Sequence, residues 1–192
     1  DFNQKGNTEK ALEYYNKCMK MWEEADNKKG AATTLNNIGL IYHTQGNIDQ
    51  AINFYTKSFK LQEEIGDKHG MAYTLNNLGY IYNSQGSISK ALDFYNKSLK
   101  LREEIGDKKG VSYSLTNLGF IYQSQGDISK ALDYYRKSLK LQEETGDKKA
   151  IGYSLNNIGD AYRSEGDYKN ALYYYGKSLK IREEIGDKQG IA

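Results

Sequence analysis

The sequence predicts an all-α fold, a solenoid of antiparallel helix pairs, and three observations carry the prediction. A motif recurs every 40 residues, marked by Gly6, Gly46, Gly86, Gly126 and Gly166 and again by Ala11, Ala51, Ala91, Ala131 and Ala171. Within each period the apolar residues fall twice into the spacing of an amphipathic helix. No proline occurs in the 192 residues to interrupt either helix. A period of this length belongs to stacked repeat arrays, in which each repeat touches mainly its neighbours. Such an array offers an extended surface, so the period points to binding in place of chemistry in a pocket.

Residues 1–27 read as the second helix of a truncated repeat, followed by repeats at 28–67, 68–107, 108–147 and 148–187 and the start of a further one at 188–192. Asp1 and Phe2 fall where Ile41 and Tyr42 lie, and Gly190, Ile191 and Ala192 match Gly70, Met71 and Ala72, so the chain reads as an excerpt from a longer array. In the repeat 28–67, Leu35, Ile38, Gly39, Ile41 and Tyr42 form the apolar face of a first helix. Ile48, Ala51, Ile52, Tyr55, Ser58, Phe59 and Ile65 form that of a second. Gly46 and Gly66 follow the two helices, placed to take the left-handed conformation that closes a helix end. Asn47 and Asp67 then stand as N-caps, with Ser87, Asp127 and Asp167 in the places equivalent to Asn47. Loops of about two or three residues force neighbouring helices to run antiparallel. Each helix runs about 17 residues, roughly 25 Å.

Gly39, Gly79, Gly119 and Gly159 lie inside the first helices, where glycine costs about 1 kcal/mol relative to alanine. Something must require the missing side chain. The expected reason is a close crossing of the second helix, met from the other side by Ala51 and its equivalents.

Composition narrows the function. Hydrophobic residues make up 38% and charged residues 27%, the mean hydropathy is −0.82, and no apolar run is long enough to span a membrane. The 27 basic and 25 acidic side chains interleave, so the net charge of +2 is not gathered into a patch that would attract nucleic acid or an acidic membrane. Lys57, Lys60, Lys97, Lys100, Lys137 and Lys140 alternate with glutamate pairs such as Glu63 and Glu64, and Lys60 can reach Glu64 at i+4, which reads as a solvated face. His43 and His69 are the only histidines, and with one cysteine they assemble no metal set at known spacing. Cys18 takes the place of Ser58, Ser98, Ser138 and Ser178 and reads as a small packing residue. No nucleophile with a base, phosphate-cradling loop or buried carboxylate pair is present, so neither catalysis nor a cofactor is expected. No signal peptide is visible, but a start in mid-repeat gives that absence little weight; the compartment is left open, with the cytoplasm as the expectation.

Gly39, Tyr42, Gly46, Ala51, Tyr55 and Ser58, preceded by Leu35 and Ile38, resemble the tetratricopeptide repeat in residue type and spacing. Three departures stand out. The period is 40 residues where the family's usual unit has 34, no proline closes the second helix, and leucine stands where the family often has tryptophan. A longer second helix through Gln62, Glu63, Glu64 and Ile65, ended by Gly66, fits the first two. Such long units, with a connection like Gly106, Asp107, Lys108, look like those of spindle-orientation scaffolds and bacterial signalling arrays, and the pair Asn36 and Asn37 is similar to kinesin light chain repeats. The resemblance implies a right-handed superhelix whose first helices line a concave groove and whose second helices form the convex back. It also implies a scaffold that takes an extended or helical peptide in that groove.

The core use of Leu35, Ile38, Ile41 and Tyr42 leaves the opposite face of the first helix free. Along the repeats that face reads Thr33, Tyr73, Tyr113, Tyr153; then Asn37, Asn77, Asn117, Asn157; then Leu40, Tyr80, Phe120, Asp160; then His43, Asn83, Gln123, Arg163. An asparagine amide both donates and accepts, so the constant row suits a peptide backbone. With first helices roughly 10 Å apart and an extended peptide rising about 3.3 Å per residue, one asparagine meets about every third peptide residue. The same row would equally serve to bond neighbouring helices. Tyr73, Tyr80, Tyr113, Phe120 and Tyr153 are the expected apolar anchors, with His43 and Arg163 as the positions that differ from their row. Asp160 is either a receptor for a basic group or a drifted position. A protein or peptide is thus the expected partner. End-to-end self-association is the alternative, through Leu12, Tyr15 and Met19 on the terminal helix.

Overall fold

The structure, a computed structural model, describes residues 2–191, all of its regular elements being helices. In chain order these are α1 (Phe2–Glu24), α2 (Lys28–Thr44), α3 (Ile48–Glu64), α4 (Lys68–Ser84) and α5 (Ile88–Glu104), then α6 (Lys108–Ser124), α7 (Ile128–Thr145), α8 (Lys148–Glu165), α9 (Tyr168–Glu184) and the single turn α10 (Lys188–Ile191). The expected all-α class holds, and no described helix is long and apolar enough to cross a membrane. The terminal matches at Asp1 and Ala192 lie outside the described residues. Residues fall into two compact units, 1–101 and 102–192.

Helix ends follow the local chemistry. Gly46 and Gly66 take φ of 77° and 68°, the left-handed region that only glycine enters without strain. Asp26 occupies the place of Gly66 and is pulled into the same region, with φ of 49°. The carboxylate of Asp67 accepts the backbone N–H of Gly70 at 3.0 Å, and Asp127 and Asp167 cap Lys130 and Asn170 in the same way at 3.2 and 3.0 Å. Asn47 departs from expectation: it stands at the N-cap of α3 without a side-chain cap bond. Its amide turns back toward Gln45, Nδ2 lying 3.4 Å from Oε1.

The crossing within each pair is tight, though Ala51 is not what fills it. A Cβ on Gly39 would meet Cδ1 of the Tyr55 ring at 2.8 Å, and one on Gly79 the Tyr95 ring at 2.9 Å. The missing side chain is therefore required by a tyrosine of the second helix. Ala51 is buried on another side, packed with Tyr55 against Leu78 and Ile81 of the following first helix, and Ala131 with Tyr135 against Ile158 and Ala161. A buried serine ties each pair: Ser58 Oγ donates to the Ala32 carbonyl at 2.7 Å, and Ser138 and Ser178 donate likewise to Ser112 and Gly152.

On the second helices the lysines lie over rings, Lys57 Nζ 5.4 Å from Phe54 and Lys137 Nζ 5.7 Å from Tyr134. Glu64 does not pair with Lys60; it pairs across the helix pair with Lys28 at 3.0 Å, as Glu144 does with Lys108. Both pairs are exposed, and such pairs contribute about 0–1 kcal/mol.

Candidate functional site

Residues 33, 37 and 40 follow one another at i, i+4 and i+7 and so share one helix face. In the unit 1–101, α2 and α4 bury the opposite face through Leu35, Ile38, Leu75 and Leu78, and this packing turns the shared face outward. Leu40, Tyr73 and Tyr80 stand 44%, 49% and 54% exposed. In the unit 102–192, α6 and α8 present Tyr113, Phe120 and Tyr153 at 57%, 58% and 48%. Asn37, Asn77, Asn117 and Asn157 are half-buried between these rows.

The neighbouring asparagine has a structural role. Asn36 is 4% exposed; its Nδ2 donates to Thr74 Oγ1 at 2.8 Å, and its Oδ1 accepts from Asn77 Nδ2 at 3.2 Å. Thr74 in turn donates to Gln62 Oε1 at 2.9 Å. The chain of bonds crosses from α2 to α4, so Asn77 serves helix packing at least with one donor. His43 is half-buried, edge-on to the Tyr80 ring at 5.3 Å.

Asp160 receives its partners from the chain itself. Its carboxylate accepts from Tyr175 Oη at 2.7 Å and Asn156 Nδ2 at 3.0 Å, and pairs with Arg163 at 3.0 Å. Arg163 therefore has an acidic neighbour that Asn83 and Gln123 lack in their rows. Gln123 takes a different partner, its Oε1 accepting from Tyr135 Oη at 2.8 Å. Burial pushes the Tyr55 and Tyr135 phenols well above the ordinary tyrosine range, so both stay neutral.

One row escaped the sequence reading. Gln62, Arg102, Gln142 and Arg182, in the extension of the second helices to which no role was assigned, are all buried. The signal was their place four residues after the buried serines, on the same helical face. Arg102 Nη1 donates to the Gly110 carbonyl at 2.5 Å, and the Arg182 guanidinium lies 4.7 Å from the Tyr153 ring centre. Gln142 Oε1 and Ser154 Oγ are buried without partners, although they stand in the places of Gln62 and Thr74. In the unit 1–101 a cleft of about 400 Å³ opens on the first-helix face, with Thr33, Asn37, Gln62, Asp67, His69 and Tyr73 in its walls. Among the described residues no group of three or more His, Cys, Asp or Glu is placed to hold a metal ion.

The terminal elements differ from one another. Leu12, Tyr15 and Met19 on α1 are half-buried, whereas on α9 Leu172, Tyr173 and Leu179 stand 72%, 55% and 42% exposed.

Known proteins share this architecture. BtubC (BKLC) from P. vanneervenii is similar in structure with a TM-score of 0.83 at 21% identity, over 96% of this chain and 76% of that one. A putative kinesin light chain of P. anserina with nearly identical TPR-like repeats gives 0.71 at 14%, over 96% and 91%. A Rap protein complexed with Competence and Sporulation Factor gives 0.83 at 17%, over 99% of this chain and 53% of that one. At these identities the likeness is one of fold. No curated protein sequence matches. The tetratricopeptide repeat sequence model matches residues 1–64, 31–104 and 110–184, and the chain belongs to the tetratricopeptide-repeat family.

Proposed function

We propose that this chain is a non-catalytic protein-interaction scaffold that holds a peptide segment of a partner on the outward faces of its first helices. The observation that carries the reading is the run of large aromatic side chains left in solvent on those helices, Tyr73 and Tyr80 in one unit and Tyr113, Phe120 and Tyr153 in the other. Aromatic residues of this kind dominate binding energy once a partner desolvates them, and half-buried asparagines beside them offer paired donors and acceptors to a peptide backbone. The Rap structure, whose complex contains Competence and Sporulation Factor, supports the reading by its shared fold. A peptide selected from a random display library tests it. Replacing Tyr113 and Phe120 with alanine should weaken that peptide at least tenfold, about 1.4 kcal/mol, with the helical content retained by circular dichroism. Retained affinity contradicts the proposal.

A second reading, self-association, is favoured by the exposed Leu172, Tyr173 and Leu179 on α9. It expects a molar mass that rises with concentration in light scattering, and a strict monomer excludes it.

A further inference from the structure

The tyrosine row has one gap. Tyr73, Tyr113 and Tyr153 occupy it, but Thr33 stands at its first position. Where the row is filled, in α8, the Tyr153 ring lies 4.7 Å from the guanidinium of Arg182 on α9. Gln62 and Thr33 stand three 40-residue periods before those two residues. Arg102, in the same row, instead has the Tyr113 ring of the following first helix at 5.9 Å, and the equivalent of that ring, Tyr73, walls the cleft beside Gln62. Thr33 fills less of its own side than a tyrosine would, and the 400 Å³ cleft lies between the two.

The chemistry of the walls narrows what fits. Gln62 is 4% exposed, and its Oε1 is taken by Thr74, which leaves the Nε2 donor. A Cβ on Gly70 would stand 2.9 Å from Gln62 Nε2 and 2.7 Å from Asp67 Oδ2, so a donor and an acceptor converge beside the one residue in the wall that has no side chain. Asp67 Oδ1 already holds the Gly70 amide, and Oδ2 remains to accept. A phenol hydroxyl satisfies both, donating to Asp67 and accepting from Gln62, while its ring lies against Tyr73. A carboxylate would find Lys29 in the wall, but at the atoms that converge beside Gly70 it would meet Asp67 as a like charge.

We infer that this cleft is a subsite for a phenolic side chain, a tyrosine of the bound segment; the inference rests on the peptide-binding reading above. Two substitutions close the cleft with residues that other repeats carry at the same places: Thr33→Tyr, as at Tyr73, and Gly70→Ala, as at Ala150. The experiment follows backbone amide resonances while N-acetyl-tyrosinamide, N-acetyl-phenylalaninamide and N-acetyl-glutamate are titrated in turn. Expected are saturable shifts at Gly70 and Tyr73, with the tyrosine probe several-fold tighter than the phenylalanine probe and the glutamate probe weakest. Both variants should lose these shifts. If Thr33→Tyr does not fold, Gly70→Ala decides. Absent shifts, shifts that persist in the folded variant, or equal response to the glutamate probe overturn the inference. Because a single amino acid reads the cleft alone, a selected peptide that ignores Tyr113 and Phe120 would overturn the wider reading without touching this result.

Discussion

Gly79 Cα faces the Tyr95 ring so closely that a Cβ would stand 2.9 Å from both Cδ1 and Cε1. Tyr95 is 2% exposed, and its ring cannot retreat without opening the core of its pair. Gly176, also within a helix, has nothing within 4 Å of where its Cβ would lie. The two glycines should therefore respond oppositely to alanine. Gly176→Ala should stabilise by about 1 kcal/mol through helix propensity. Gly79→Ala gains the same propensity but must displace the ring, at about 1–3 kcal/mol, and should lower the melting temperature. Thermal unfolding of both variants checks the pair; a rise in both would mean that the ring moves freely.

Asp26 takes the left-handed conformation that Gly66 takes one repeat later, with φ of 49° against 68°. An L-residue there costs about 1 kcal/mol that glycine avoids. Asp26→Gly should accordingly raise stability by up to that amount in denaturant unfolding. No gain, or a loss, would show that the Asp26 side chain contributes more than its backbone strain removes.

The Asp167 carboxyl is held below the usual carboxylate range, first by the Asn170 backbone N–H and then by the Asn170 side chain, whose Nδ2 donates to it at 2.6 Å. A folded-state value below the unfolded one means that the stabilisation is present above about pH 4 and is lost as pH falls through the lower folded value. Asp167→Asn should thus be less stable than the parent at neutral pH, and the difference should close under acid conditions. Melting curves across that range decide it; a gap that widens on acidification contradicts the assignment.

Within the asparagine row, Asn77 is tied into the packing between helices. Asn77 donates to the buried Asn36, so Asn77→Ala should remove about 1 kcal/mol of stability. Calorimetric unfolding measures this directly, and an unchanged transition would return Asn77 to binding alone.

The elements were largely legible because each is specified locally. The paired signals Gly66 and Asp67, a left-handed residue followed by a cap, stop one helix and start the next within three residues. What could not be read depends on which partner the fold brings to each side chain, a choice that residue type and spacing leave open. The glycine in the first helix announces a close approach, yet nothing local says that Tyr55 and not Ala51 makes it. Asn47 has the residue type of a cap, but its amide turns to Gln45 instead. Gln62 looks solvated between Leu61 and Glu63, and only the position of Thr74 in the next helix makes it a buried acceptor. Asp160 was ambiguous for the same reason, since Tyr175 and Asn156 supply its partners. The exposed aromatics were predictable because their spacing is fixed by the same helix that buries Leu35 and Ile38.

The central claim is that a partner segment lies on the first helices. Amide chemical-shift mapping of the chain with a library-selected peptide tests it most directly. The account predicts that shifts concentrate on α2, α4, α6 and α8 around Asn37, Tyr80, Asn117 and Phe120, while Lys57, Lys97 and Lys137 on the second helices stay unmoved. Shifts gathered on those lysines, with the first helices silent, would contradict it.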